Sequence, residues 1–346
     1  MAKIFGKEYT KKELMDRFGN IGTIAGVRMI EYKDGFANGL RAYEVVNGPM
    51  RFTANIDRCL DIGELYYNGI PLYFLSRPGI MSNSWWYNEP NSSRSIMCGM
   101  MFTCGLTNVG PSQTLPDGKV LPQHGFIRST PAETFGARTY WDGDDYYIEL
   151  SAVMRESSLF GTNLVLRRTI LTKFGDPKIE IRDEIENESS TDKVPLMLMY
   201  HCNFGFPFVN ESTKLVVDAV STKGRDEVAR IGMENESPFV FGKPETGYKE
   251  QVFYHRLKSD NNMCSATIVN PEMRLAVTLK FDNRELPNLI HWKCKDAGNY
   301  VIAAEPSNCH PEGIIKEAEN GTLRYLAANE RIQTGLTFSI CSSNVD

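Results

Sequence analysis

The sequence lacks most of what would mark a membrane, nucleotide-binding or metal protein. No stretch approaches the roughly 18 consecutive apolar residues of a membrane span. The start, MAKIFGKEYTKKELMDRFG, has no apolar centre of the kind a signal peptide needs, so a cytoplasmic protein is expected. No basic block stands out and the formal net charge is −5, which argues against nucleic acid and anionic membranes as main partners. None of the eight cysteines forms a C-x-x-C pair, so a structural zinc site has no support, and reduced thiols are the expectation. The five histidines show no H-x-H or H-x-x-x-H spacing that would preset two metal ligands. There is no G-x-S-x-G elbow, no G-x-G-x-x-G turn and no Walker loop. Neither a metal nor a cofactor is therefore expected.

Helical periodicity is also scarce. One helix is expected near the start, where Thr10 and Glu13 form a capping-box pattern and Gly19 offers a stop. Beyond it the chain alternates. In KIEIRDEIENES the isoleucines 179, 181 and 185 share one parity, and in GLTFSIC Leu336, Phe338 and Ile340 do the same. DYYIELSAVM, NLVLRRTILT, TKLVVDAVS, CSATIVN and MRLAVTLKF read alike. Asp117-Gly118, Asp142-Gly143, Asn270-Pro271 and Asn320-Gly321 are the turn signals between them. No linker, composition break or fixed repeat divides the chain. The expected fold is all-β: one large two-sheet antiparallel β-sandwich over residues 1–346, with residues 1–22 as a helical extension. Residues 77–107 resist the strand reading, being rich in Gly, Pro, Ser, Asn, Met and Trp. Trp85 and Trp86 there could pack the segment down or stack on a sugar ring.

Two ionisable residues end apolar runs. Glu305 follows YVIAA and precedes Pro306; His201 follows LMLMY and precedes Asn203 and Gly205. A buried carboxylate is costly unless something binds or uses it. His124, between Gln123 and Gly125, sits where glycine permits close backbone approach. Polar groups at strand ends, gathered in one concavity, are how an all-β scaffold builds a site. Carboxylate and imidazole then suit general acid–base chemistry.

The ordered blocks GLTNVG, LPQHGFIRSTPAE, YHCNFGFP, EQVFYH, LPNLIHW and AAEPSN resemble the galactose mutarotase-like superfamily, in its divergent bacterial aldose 1-epimerase-like branch of the DUF4432 type. The resemblance implies a β-supersandwich and an isomerase that interconverts sugar anomers. It assigns Glu305 as the base at the C1 hydroxyl, His201 as the acid at the ring oxygen, and His124 as a hydrogen-bonding partner near that oxygen. Glu250 falls where the family has a substrate-binding aspartate. Arg58, with Asp61 in NIDRCLDIGELYYNGIPL, stands either for the substrate-binding arginine or for a structural ion pair. Asn203, Trp292, Arg128, Lys293 and His310 are further candidates for binding the sugar. Two alternatives share the site: an isomerase or lyase acting on a sugar acid or keto sugar, favoured if Arg58, Arg128 and Lys293 line the pocket, and a non-catalytic sugar-binding protein. The partner expected is a small sugar, with the protein as monomer or homodimer.

Overall fold

The computed structural model describes residues 2–4, 6–82 and 92–342. These form sheets of eight, seven and five strands, with smaller two-stranded pairs. The strand pairings within the large sheets are antiparallel, as the alternating segments require.

The eight-stranded sheet carries the most regular alternation. Asp145–Ser157, Asn163–Lys173, Lys178–Asn187 and Arg331–Ser342 are neighbours in it, and each buries every second residue. Their inward faces, with Ile148, Ile170, Ile181 and Phe338, share one core with Leu198, Tyr200 and Ile302 of the seven-stranded sheet. Phe52 and Ile62 of the five-stranded sheet join the same core. The fold is thus a large antiparallel β-sandwich, with a third sheet contributing to the same core.

The seven-stranded sheet positions the site. Its main path runs Met101–Leu106, Val194–Gly205, Asn299–Ser307, Asn288–Asp296, Gln251–Leu257 and Ala219–Gly224. Both faces are covered near its middle. Leu196, Leu198, Tyr200 and Cys202 face the other sheets, whereas Met197 and Met199 join Phe102, Cys104 and Ile290 in a second cluster on the opposite face. Double coverage explains why these strands read as continuous apolar runs.

The Thr10–Glu13 capping box forms as expected. The helix is only Lys11–Met15, however, and a hairpin of Ala2–Ile4 and Lys7–Tyr9 precedes it, so the first residues are helical only in part. Asp117-Gly118, Asp142-Gly143 and Asn270-Pro271 do join paired strands, while Asn320-Gly321 ends the helix Ile314–Glu319. The stretch expected to be irregular contains Met101–Leu106, a buried strand of the site sheet. Trp85 and Trp86 lie outside the described residues.

A buried ionic network joins the sheets. Arg168 binds Asp183 through Nε and Nη2 at 2.8 and 2.6 Å. It reaches Asp61 through Nη1 at 2.7 Å and Thr103 Oγ1 through Nη2 at 2.9 Å. Tyr200 donates to Asp183 at 2.7 Å. Arg168→Ala would leave Asp61 and Asp183 buried without their cation. A loss of about 3–5 kcal/mol in unfolding free energy is expected, measured by chemical denaturation; an unchanged midpoint would show that the network does not brace the sheets.

Candidate active site

The register builds the site. Met199 pairs with Ser307 and Cys202 with Ala304, which sets His201 opposite Glu305 on adjacent strands. Phe102 pairs with His201 from the other side, and Ile290 pairs with Glu305. Phe102, His201, Glu305 and Ile290 therefore form one row across the sheet, on the face away from the main core. Above the row opens a cavity of about 880 Å³.

His201 Nε2 lies 3.1 Å from Glu305 Oε1. The approach is close but does not make a hydrogen bond: Glu305 Oε1 and His201 Nδ1 are buried and without hydrogen-bond partners among the described residues. Only 2% of Glu305 and 7% of His201 is exposed, so both sit on the cavity floor in a largely desolvated setting. Burial pushes the Glu305 carboxyl well above its ordinary range; Glu250 adds to the rise and Arg225 opposes it. Burial likewise holds His201 well below its ordinary 6.5, with His124 adding to the depression and Asn203 opposing it. Both shifts favour the uncharged forms, a protonated Glu305 and a neutral His201. Phe102 stacks on His201 with ring centroids 4.5 Å apart, and Trp292 meets it edge-on at 5.6 Å.

His124 enters from a loop, T-shaped against His201 at 5.7 Å. Its backbone is left-handed (φ 58°), held by His124 N–H donating to Gly110 O and Gly105 N–H donating to His124 O. Gly125 beside it has φ 73°, and a Cβ there would stand 2.0 Å from Gly105 O, so no other residue fits. The Gly110 N–H donates to His124 Nδ1 at 3.4 Å, which puts the ring proton on Nε2. Burial, with Arg128 adding to it, lowers His124 to about 3, so the ring is neutral at physiological pH.

At the mouth, Glu250 is about half exposed. It accepts from Trp292 Nε1 at 2.8 Å and lies 3.4 Å from an Arg225 nitrogen. Arg225 also binds Asp226 at 3.0 Å. Glu312 also lines the cavity, with Tyr254 donating to it at 3.0 Å.

Of the residues singled out in the sequence, Glu305, His201, His124, Glu250 and Trp292 line this cavity together. The others do not. Lys293 follows Trp292 on the same strand, so its side chain takes the opposite face, where it binds Glu236 at 2.7 Å. Arg58 is buried and donates to the carbonyls of Ser95 and Ser82, while Asp61 belongs to Arg168 and Thr103; the two make neither a sugar clamp nor a hydrogen-bonded pair with each other. Arg128 is buried behind the loop, bound to Gln123 O and Ser95. Asn203 is buried, with its amide on Gly99 O and His201 O. His310 stacks on Tyr254 outside the cavity lining.

Sequence reading missed Arg225, Glu312 and Phe102. The signal for Arg225 was present: Gly224 ends a strand and Asp226 caps the helix Glu227–Asn235, which fixes Arg225 at the junction. Among the described residues no group of three or more His, Cys, Asp or Glu is arranged to hold a metal ion, and no helix is long and apolar enough to cross a membrane.

Solved structures share this architecture. A provisionally assigned aldose 1-epimerase from Klebsiella pneumoniae superposes with a TM-score of 0.84 at 20% identity, over 92% of this chain and 83% of that one. A galactose mutarotase-like protein from Clostridium acetobutylicum gives 0.60 at 14% identity, over 92% and 99%. Galactose 1-epimerase from Lactobacillus acidophilus gives 0.58 at 14% identity, over 92% and 100%. The fold is that of the galactose mutarotase-like sandwiches; at these identities the likeness carries the fold alone. Residues 37–340 match DUF4432, a domain of unknown function, and the chain belongs to that family. No curated protein matches the sequence.

The upward shift of Glu305 has a sign for stability. A carboxyl whose folded pKa is raised binds its proton longer in the folded state. Stability therefore falls as pH rises from the ordinary value of 4.5 toward the raised one. Glu305→Gln removes that loss. At neutral pH it is expected to raise Tm by about 2–4 °C, the effect of ~1 kcal/mol in a chain of a few hundred residues, with the gain shrinking toward pH 4.5. Thermal melts across pH test it, and a variant less stable than wild type at neutral pH would refute it.

Proposed function

We propose that the protein is an aldose 1-epimerase that interconverts the anomers of an uncharged sugar. The observation that carries this is the His201–Glu305 contact of 3.1 Å on a cavity floor, with unsatisfied polar atoms on both side chains. Glu305 takes the proton of the C1 hydroxyl while His201 donates one to the ring oxygen. The C1–O bond of the ring breaks as the C1 carbonyl forms. Rotation about C1–C2 and the reverse transfers close the ring on the other face. One proton enters Glu305 as one leaves His201, so the pair's proton count never changes. Burial favours protonated Glu305 and neutral His201, which makes the ionised pair a strong base beside a strong acid. His124, with its proton on Nε2, is the further donor to the sugar, and Trp292 offers an apolar wall to a sugar's C–H face.

The uncharged substrate is supported by where the cations lie. Arg58, Arg128 and Lys293 are committed elsewhere, and the cavity's Arg225 is already engaged by Asp226 and Glu250. A sugar acid would meet Glu250 and Glu312 with little to offset them. Seven cysteines buried as free thiols suit a reducing compartment, so we place the enzyme in the cytoplasm.

Saturation-transfer NMR of anomer exchange over a panel of hexoses, pentoses, deoxy sugars and sugar acids tests the reading. Wild type should accelerate exchange of a neutral sugar, and Glu305→Gln should lose about 10²-fold or more. Binding without acceleration would make the protein a sugar binder; acceleration or turnover of sugar acids alone would favour the acid-sugar isomerase or lyase.

The pH profile of kcat/KM should be a bell, its alkaline limb marking loss of the pair's proton. Because Arg225 lowers and Glu250 raises Glu305, Arg225→Gln should move that limb to higher pH and Glu250→Gln to lower pH. Shifts of the opposite sign would detach the limb from Glu305.

A further inference from the structure

A second compartment adjoins the first. It has a volume of about 470 Å³ and shares the walls Ile96, Cys98, Glu250 and Trp292 with the main cavity. The Trp292 indole, tied to Glu250 by its N–H, stands at the boundary and lines both spaces. Behind it the second space is lined by Phe74, Tyr248 and Cys294 together with the polar Ser76, Ser93 and Asn299. Two features set it apart from a packing gap. The Tyr248 hydroxyl is buried and has no hydrogen-bond partner among the described residues. Its acidic groups are also engaged: Asp296 accepts from Asn299 and the Gly247 N–H, with Arg77 nearby, and Glu250 is engaged by Trp292 and Arg225. Aromatic walls with hydroxyl and amide groups between them, and no unbalanced charge, match a pyranose, which has apolar C–H faces and a polar rim. The main cavity alone is already at the upper end of the ~300–1,000 Å³ that encloses a drug-sized ligand.

We infer that the site takes a reducing oligosaccharide of two or more neutral sugar units, the reducing unit over Glu305 and His201 and the next unit beyond Trp292 in the second compartment. The inference rests on the proposed anomer exchange for the role of the first unit. The second unit is joined through a non-anomeric hydroxyl of the first, which leaves C1 free to open.

The test compares glucose and galactose with maltose, cellobiose, lactose, melibiose and gentiobiose, by calorimetric binding and by anomer exchange at the reducing end. Cys294→Phe fills the second compartment from its floor, and Ser93→Trp fills it from the rim should the first variant fold poorly. Tyr248→Phe removes the unpartnered hydroxyl alone. Wild type should prefer at least one disaccharide over its reducing monosaccharide by about tenfold or more, the scale of one or two added hydrogen bonds. Either filling variant should abolish that preference while keeping monosaccharide binding within about twofold of wild type. Equal affinity for mono- and disaccharides, or filling variants that leave disaccharide binding intact, would overturn the inference. Anomer exchange failing with every sugar, while a filling-sensitive preference persists in calorimetry, would sink the epimerase reading and leave the second compartment standing.

Discussion

The Arg168 guanidinium is the constraint on which the rest depends. It rises from the eight-stranded sheet and reaches Asp61 on the five-stranded sheet and Thr103 on the seven-stranded one, while holding Asp183 on its own. An ion this deep is expensive unless its donors are used, and here each of its nitrogens has an acceptor. The return is registration. Thr103 pairs with Tyr200, and both side chains belong to this network. One residue along, on the opposite face, the pair is Phe102 and His201. A slip of one residue would turn His201 into the core and Tyr200 into the cavity. The buried ions behind the sheet and the His201–Glu305 pair in front of it follow from a single register.

From that register the division of labour follows. His201 and Glu305 stand on neighbouring strands, where backbone hydrogen bonding limits drift, and precise placement is what the proposed proton transfers need. The groups that would touch the rest of a sugar come from loops and strand ends: His124, Arg225, Glu250 and Glu312. Buried arginines brace those loops. Arg58 and Arg128 both grip the Ser95 carbonyl, and Arg128 also holds Gln123 next to His124. Cations that might have bound an anionic substrate instead hold the walls.

This also explains what could be read in the sequence. The eight-stranded sheet was plain, because one face meets the core and the other meets water, so parity survives in the residue pattern. Glu305 and His201 stood out for the opposite reason: each is an ionisable group in a strand otherwise apolar on both faces. Met101–Leu106 was hidden because coverage on both sides erases alternation, and its Met, Cys and Gly content mimics a loop. Lys293 and Trp292 could not be separated without knowing which parity faced the cavity. Arg58 and Arg128 look like binding residues by type, and only the fold reveals that they are buried and spent on backbone carbonyls and the Ser95 hydroxyl. Arg225 lies outside every block singled out for chemistry, and although Gly224 and Asp226 mark it as a strand–helix junction, the fold is what brings it near Glu305.

Glu305 shows how far the fold goes to hold a difficult group. Its strand supplies hardly any solvent, Pro306 after it has no N–H to offer, and one carboxyl oxygen lacks a partner. Nothing in packing calls for a carboxyl there; a glutamine or a leucine would relieve the desolvation. The surroundings oppose one another instead of neutralising it, with Glu250 raising its proton affinity and Arg225 lowering it. Other buried carboxylates here are given partners: Asp61 and Asp183 have Arg168, and Glu156 accepts from the Leu106 N–H and the Thr107 hydroxyl. What Glu305 has at contact distance is a histidine that burial keeps from charging. The two groups lie 3.1 Å apart under the cavity with no hydrogen bond between them, each held toward its neutral form by burial.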